Sequence, residues 1–242
     1  MAPTTDTDST LEALAARYGL SSEQLTQLAN LLEGLAADEL APSTVTEPSQ
    51  AIDAHLADSL VALDQPVVRA ARSIVDIGAG AGFPGLALAA ALPEARVALV
   101  ESNGRKCEFI ARTAAAAGIA NATPVHARVE EWEEGIGGHD VAVARAVGPQ
   151  PVVLEYAAPL LRVGGTLVDW RGQRDLEEEE KSLRACGELG LQRVQIERVQ
   201  PFPAARDRHI HTFLKQTETP ARFPRRVGMA RKRPLGALSR TP

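Results

Sequence analysis

Glycine recurs at 78, 80, 82 and 85, and one acid, Asp76, stands two residues before the first of them. Without a Cβ the backbone can come close to a ligand, and the first N–H groups of a following helix are unpaired donors. The flanks suit such a site. Ile74 to Ile77 is an apolar run of strand type, and Leu86-Ala-Leu-Ala-Ala-Ala-Leu92 reads as a helix. Strand, glycine turn and helix N-terminus together make a nucleotide-type site; a plain tight turn is the alternative. Spacing narrows the ligand. A dinucleotide turn places its third glycine five residues after the first, whereas Gly82 comes four after Gly78. A P-loop needs Gly-Lys-Ser/Thr, which is absent from the stretch. Phe83-Pro84 opens the helix instead, and proline suits a first helical turn.

Asp-x-Gly-x-Gly-x-Gly after a strand resembles motif I of the class I methyltransferases, which bind S-adenosylmethionine. Val97-Ala-Leu-Val-Glu101 ends in an acid 19 residues after Gly82. At the carboxyl end of a strand it can accept both ribose hydroxyls. An NAD enzyme also places an acid there, so the glycine spacing discriminates and Glu101 does not. In this fold Val129 and Glu130, after the third strand, border the adenine ring. Val129 can pack on it, and Glu130 or its backbone can bond the exocyclic amine; solvated acids are the alternative. The fourth strand, Val141-Ala-Val-Ala-Arg145, points its carboxyl end at the cofactor's methyl group. Many amine methyltransferases carry Asn/Asp-Pro-Pro-Tyr there, and this chain has Ala144-Arg145-Ala146. An exocyclic amine must shed a proton and needs acceptors around it, but an aromatic ring nitrogen attacks with a free lone pair. Arg145 is therefore expected to position substrate or cofactor in a site without a general base, where orientation and desolvation do the work.

These residues need a scaffold, and the pattern supplies one. Strands are expected at 73–77, 96–101, 123–127, 141–145 and 165–170, with helices at 84–92, 105–117, 151–161 and 174–189. Such alternation means an α/β fold with a mostly parallel sheet covered on both faces. The last two strands, 192–200 and 209–215, have no helix between them and should form an antiparallel hairpin. Seven strands closed by such a hairpin are the Rossmann-like class I methyltransferase arrangement that the motif implies. Upstream, 11–18 and 22–40 read as amphipathic helices, with Leu25, Leu28, Leu31, Leu32 and Leu35 at helical spacing and Ser21 or Ser22 as N-cap. A third helix, 50–63, carries His55, Asp58 and Ser59 opposite its apolar stripe. That trio is either a solvated face or the wall of a pocket.

Composition bounds the rest. The 242 residues are 45% apolar but only 4% aromatic, so the core is built of Ala, Leu and Val. Residues 219–242 hold seven basic residues and no acid, which leaves −12 on the remainder of a chain whose net charge is −5. Such asymmetry points to a basic tail meeting a polyanion. Cys107 and Cys186 make no disulfide or metal pattern. The polar, acidic start lacks a signal-peptide pattern, and no apolar run approaches a membrane span. The expectation is a cytoplasmic protein with no membrane contact and no metal.

The stretch Val75-Asp-Ile-Gly-Ala-Gly-Ala-Gly-Phe-Pro-Gly-Leu86 is similar to the signature of the ribosomal RNA small subunit methyltransferase G family. The similarity continues through His55-x-x-Asp58-Ser59, Arg128-Val-Glu-Glu131, Ala144-Arg-Ala146 and Pro220-Ala-Arg-Phe-Pro-Arg-Arg-x-Gly228. The resemblance implies formation of 7-methylguanosine at a guanine of small-subunit (16S) ribosomal RNA, with S-adenosylmethionine as cofactor and ribosomal RNA or a small-subunit particle as partner. It carries the family's cofactor contacts onto Gly78, Phe83, Val129, Glu130 and Arg145. Asp76, Gly80, Gly82 and Glu101 join them from the motif. Ser43-Thr-Val-Thr46 stands where the family has Asn-Leu-Thr, and Arg171-Gly172 where it has Lys-Gly; Lys and Arg differ in contact geometry. Arg171, Arg206, Arg208 and His209 are expected at strand ends near the pocket, with Arg171, Arg208 and His209 binding RNA; a structural role is the alternative for His209. Arg225, Arg226, Arg231, Lys232 and Arg233 are expected to meet RNA phosphates, with Phe223 and the prolines docking part of the tail; a disordered solubilising tail is the alternative. The expected layout is a disordered 1–10, a helical extension over 11–65, the cofactor-binding domain over 66–218 and the basic tail over 219–242, acting as a monomer. A small-molecule methyltransferase and a non-catalytic RNA-binding assembly factor are the competing functions.

Overall fold

In the computed structural model, which describes residues 4–38 and 41–237, the glycine stretch lies at the middle of one sheet. Its strands are β1 (Ser73–Ile77), β2 (Arg96–Glu101), β3 (Ala122–His126), β4 (His139–Arg145), β5 (Leu161–Arg171), β6 (Leu191–Val199) and β7 (Arg208–Lys215). They lie in the order β3-β2-β1-β4-β5-β7-β6. The first five are parallel, and β7 runs antiparallel between β5 and β6. Strands β1 and β4 are buried at their centres, as strands covered on both faces must be. The order reverses between β1 and β4, so a crevice opens at their carboxyl ends.

One face of the sheet is covered by α1 (Thr4–Tyr18), α2 (Ser22–Ala37), α6 (Gly85–Ala91) and α7 (Gly104–Ala116). A helical stretch joins them there: α3 (Pro48–Ala51), a wide π turn over Ile52–Ala57, α4 (Asp58–Leu60) and a tight turn over Val61–Asp64, followed by α5 (Pro66–Arg69). The other face is covered by α8 (Gln150–Leu160), α9 (Leu176–Leu189) and the short α10 (Met229–Lys232). Leu28, Leu31 and Leu35 of α2 are fully buried in the same apolar cluster as Leu86 and Ile74. Each contributes on the order of 1.5–3 kcal/mol by leaving water. Ser21 caps α2 in a capping box with Gln24, whose amide also donates to Ala90 O and Ala91 O at the end of α6.

Several expectations change. The segment expected to be disordered, 1–10, contributes to a helix from Thr4 onward. Leu11, Leu14 and Tyr18 anchor that helix in the core, and a helix once nucleated extends at little cost. Helix α2 ends at Ala37, and Leu40, the expected end, lies outside the described residues. The expected single helix over 50–63 is instead interrupted by the π turn that carries His55. The tail docks as far as it is described: Phe223, Ala230 and Leu235 are buried against α8 and its neighbours.

Candidate active site

Two hollows meet at the carboxyl ends of the parallel strands. The first is a groove beside the glycine turn, bordered by Gly78, Glu101, Val129, Glu130, Tyr156 and Arg231. The second is a cavity of about 420 Å³ over the ends of β4 and β5, bordered by His55, Asp58, Arg145, Trp170, Arg171 and Arg208. Val147, just past β4, lines both.

The glycine turn is shaped by its backbone. Gly78 and Gly80 sit at φ +67° and +58°, the left-handed region that glycine enters without strain. A Cβ on Gly78 would press on Val147 Cγ2 at 3.2 Å. Glu101 closes the turn from β2: its carboxylate accepts from Gly80 N at 3.1 Å and Asn103 N at 2.9 Å. Asp76 is buried and does not line the groove. Its Oδ2 accepts the Gly85 amide at 2.7 Å, so it fastens the start of α6 to β1 instead of reaching a ligand. Burial pushes this carboxyl up to about 7. Gly82 also stands back from the groove, and a Cβ there would strike Leu86. Phe83 is buried with its ring stacked on His55, centroids 4.8 Å apart.

The cavity is organised by Asp58. Its carboxylate accepts from Arg145 Nη1 at 2.7 Å, and Arg208 Nε lies 3.5 Å from its other oxygen. Its backbone carbonyl accepts from the Trp170 indole at 2.7 Å. Arg145 also donates to Ala54 O at 3.0 Å. The trio His55, Asp58 and Ser59 is thus not a solvated face: Asp58 and Ser59 are buried, and His55 and Asp58 line the cavity. His55 Nε2 lies 3.0 Å from Val45 O, which can only accept, so that nitrogen carries the proton. Nδ1 is then a buried acceptor with no partner. Burial lowers this imidazole below its ordinary value and favours the neutral ring.

Arg171, at the end of β5, is fixed by Asp169 Oδ2 at 2.7 Å and Gly148 O at 2.9 Å, and its Nη2 has no partner. Asp169 is buried, also accepts from Gln150, and is pushed up to about 6 by burial. Gln150 in turn contacts His211, which burial pulls down to about 4. His209 does not border the cavity; its Nδ1 lies 2.9 Å from Gly172 O and steadies the turn after Arg171. Arg206 is elsewhere, bonded to Pro203 O and Ala205 O before β7, because the loop turns it away from the strand ends.

The tail residues divide. Arg226, Lys232 and Arg233 are exposed. Arg225 is not available to RNA as expected, because its guanidinium grips Glu155, 1% exposed, with Nε to Oε1 at 2.7 Å. Arg231 is exposed as well, but it reaches back to the groove and donates to Val147 O at 2.8 Å. Glu130 is not a free acid either: its Oε1 accepts the Gly228 amide at 3.0 Å. Residue patterns did not reveal Trp170, Asp169 or Tyr156 as site components. Glu155 carried a signal, since one acid in the apolar run Val152–Leu160 must be paired to be buried.

Residues 21–210 match the model of the family described as rRNA small subunit methyltransferase G. A protein of that name from Synechococcus elongatus is 38% identical over 223 residues, covering 89% of this chain and 92% of its own. One from Syntrophomonas wolfei is 39% identical over 76% of this chain and 86% of its own. Among solved structures, Aeropyrum pernix fibrillarin with bound S-adenosyl-L-methionine shares the fold at 18% identity and a TM-score of 0.54, over 66% of this chain and 74% of its own. A glycine turn facing an acid-capped β2, beside an arginine at the end of β4, is set in a sequence whose likeness to the two curated relatives covers 76–89% of its length. The chain belongs to the rRNA small subunit methyltransferase G family.

Proposed function

We propose that this chain methylates N7 of a guanine in small-subunit (16S) ribosomal RNA, with S-adenosylmethionine as donor. The observation that carries this reading is the junction of the two hollows: a glycine-and-acid groove opens beside a cavity lined by Arg145, Arg171 and Arg208. The residues present fit the cofactor. Gly78 and Gly80 hold left-handed turns that admit no larger side chain without strain, and Glu101 presents a carboxylate at the end of β2 for ribose hydroxyls. Val129 offers an apolar border for the adenine. The cofactor, when bound, supplies an electrophilic methyl group.

The protein's own part is positioning. Arg145 stays charged at any working pH and serves as a donor, not a base. Asp58 and Ala54 O hold it in the wall of the cavity, where its donors suit an acceptor such as guanine O6. Attack by N7 forms a cation and releases no proton, so no base is required at that step. Arg171 and Arg208 line the cavity and supply donors for the nucleotide's phosphate or base, with His209 fixing the turn behind Arg171. Exposed Arg226, Lys232 and Arg233 extend the cationic surface for the RNA backbone. In this layout 66–218 is the catalytic body, 11–65 a helical extension sharing its core, and 219–242 a tail whose docked part flanks the groove. We take the enzyme to work as a cytoplasmic monomer. No described helix is long and apolar enough to cross a membrane. Mass spectrometry of 16S ribosomal RNA nucleosides from cells with and without the gene tests the proposal. One 7-methylguanosine should vanish on deletion and return on complementation; unchanged nucleosides would overturn it.

A further inference from the structure

The segment after β7 reads as an RNA arm in sequence, yet its bonds point inward. Phe223, Ala230 and Leu235 are buried against α8. Arg225 forks onto Glu155 of that helix, and its Nη2 also donates to Arg233 O at 2.8 Å, which closes 225–233 into a loop. Gly228 N donates to Glu130 Oε1 at 3.0 Å. Arg231 Nη2 donates to Val147 O at 2.8 Å, and its guanidinium stands 3.7–4.0 Å from where a Cβ on Gly148 would lie. The strap is therefore tied at both sides of the groove: to the turn after β3 through Glu130, and to the turn after β4 through Val147.

We propose that residues 220–235 form a fixed wall of the cofactor groove, and that Arg231 is a cofactor-binding residue that contacts the adenosine end. This rests on the cofactor reading given above. The remaining borders of the groove mark that end, since Glu101 suits ribose and Val129 suits the base. Arg231 borders the same groove with a flat cationic group, and a guanidinium stacks on aromatic rings where an ammonium does so less well. Tyr156 beside it gives the wall an aromatic floor. Arg231 also holds Val147, the residue shared with the arginine cavity, so the groove and the cavity are braced by one side chain. All four of Arg226, Arg231, Lys232 and Arg233 are exposed, but Arg231 alone of them borders the groove and bonds Val147 O, so we assign it to the cofactor and the other three to RNA.

The test is calorimetry on the full chain with two probes, S-adenosylhomocysteine and 5′-methylthioadenosine, which lacks the amino-acid end. Arg231→Ala should weaken both by about tenfold or more. Arg231→Lys should recover only part of the affinity, because the charge returns without the planar face. Lys232→Gln should leave both affinities alone and lower the salt dependence of RNA binding. Thermal melts of each variant confirm that it is folded. If Arg231→Ala binds both probes like the wild type, the inference is wrong. If only S-adenosylhomocysteine suffers, Arg231 reads the amino-acid end and the adenosine assignment is overturned. If the wild-type protein binds neither probe, the cofactor reading itself fails, which the variants alone would not reveal.

Discussion

Removing the Asp58 carboxylate should destabilise the protein more than removing the arginine it holds. Asp58 is 8% exposed and Arg145 is 17% exposed at the side chain, and they meet at 2.7 Å. Asp58→Ala leaves the guanidinium with only the Ala54 carbonyl, 3.0 Å away. Breaking a buried pair costs about 3–5 kcal/mol, and the retained carbonyl bond places this case near the lower end. Arg145→Ala leaves Asp58 with Arg208 at 3.5 Å as a substitute partner. Its cost should be smaller, about 2 kcal/mol, the scale of one hydrogen bond to a charged group. The double variant removes both charges and leaves neither buried alone, so it should cost less than the sum by about 1–3 kcal/mol. Urea unfolding of the four proteins measures this, provided the m-values agree. Additive effects, within about 0.5 kcal/mol, would refute the claim that Asp58 holds Arg145 in place.

Gly80→Val forces a β-branched residue to φ +58°, next to the Glu101 carboxylate that its amide now engages. S-adenosylhomocysteine affinity should fall at least about tenfold, or ~1.4 kcal/mol, in a folded variant; equal affinity by calorimetry would remove the turn from the site. Replacing Arg226, Lys232 and Arg233 by Gln should flatten the salt dependence of RNA binding, by roughly 0.7–0.9 in the log–log slope for each phosphate that is no longer neutralised. A slope that does not move would mean that these residues read no phosphate. Asp76 binds its proton up to about pH 7 when folded but releases it at an ordinary carboxylate pH when unfolded. The folded state therefore holds more protons between about pH 4 and 7, and this group's contribution falls as pH rises through that window. Asp76→Asn should thus gain stability relative to wild type between about pH 5 and pH 8, as read from denaturant midpoints, and a constant difference would contradict the shift.

The sheet was largely legible because its signals are local. The ends of β1 and β2 fall where the apolar runs end, and the lack of a helix before His209 gave the closing hairpin. The glycine turn was legible for the same reason, since Gly78 and Gly80 take the conformation that only their residue type favours. The π turn at 52–57 was not legible. An apolar stripe at helical spacing looks the same whether one wide turn interrupts it or not, and that turn sets how His55 and Asp58 face the cavity.

What failed in the site failed through partners distant in sequence. Arg225 and Arg231 read as tail cations because no acid lies in residues 219–242 to claim them. Their partners, Glu155 and Val147, lie about 70 and 84 residues earlier, and only the packing of the strap on α8 brings them together. Asp76 shows the converse. Its residue type and place match a ligand-binding acid, but the amide of Gly85, nine residues on, takes its oxygen first. The polar trio on 50–63 was undecided in sequence because a helix face does not announce what covers it, and here Arg145 and Trp170 from the sheet do so.

The central claim is that a ring nitrogen accepts the methyl group in a site that needs no base. The most direct measurement is single-turnover methylation of small-subunit ribosomal RNA beside the same RNA carrying 7-deazaguanine, between about pH 6 and 9. The natural RNA should be methylated at a rate that reveals no essential base titrating in that range, and the 7-deaza RNA should bind and remain unmethylated at the target. Equal methylation of the two would contradict the account and move the acceptor to an exocyclic amine or a ribose hydroxyl.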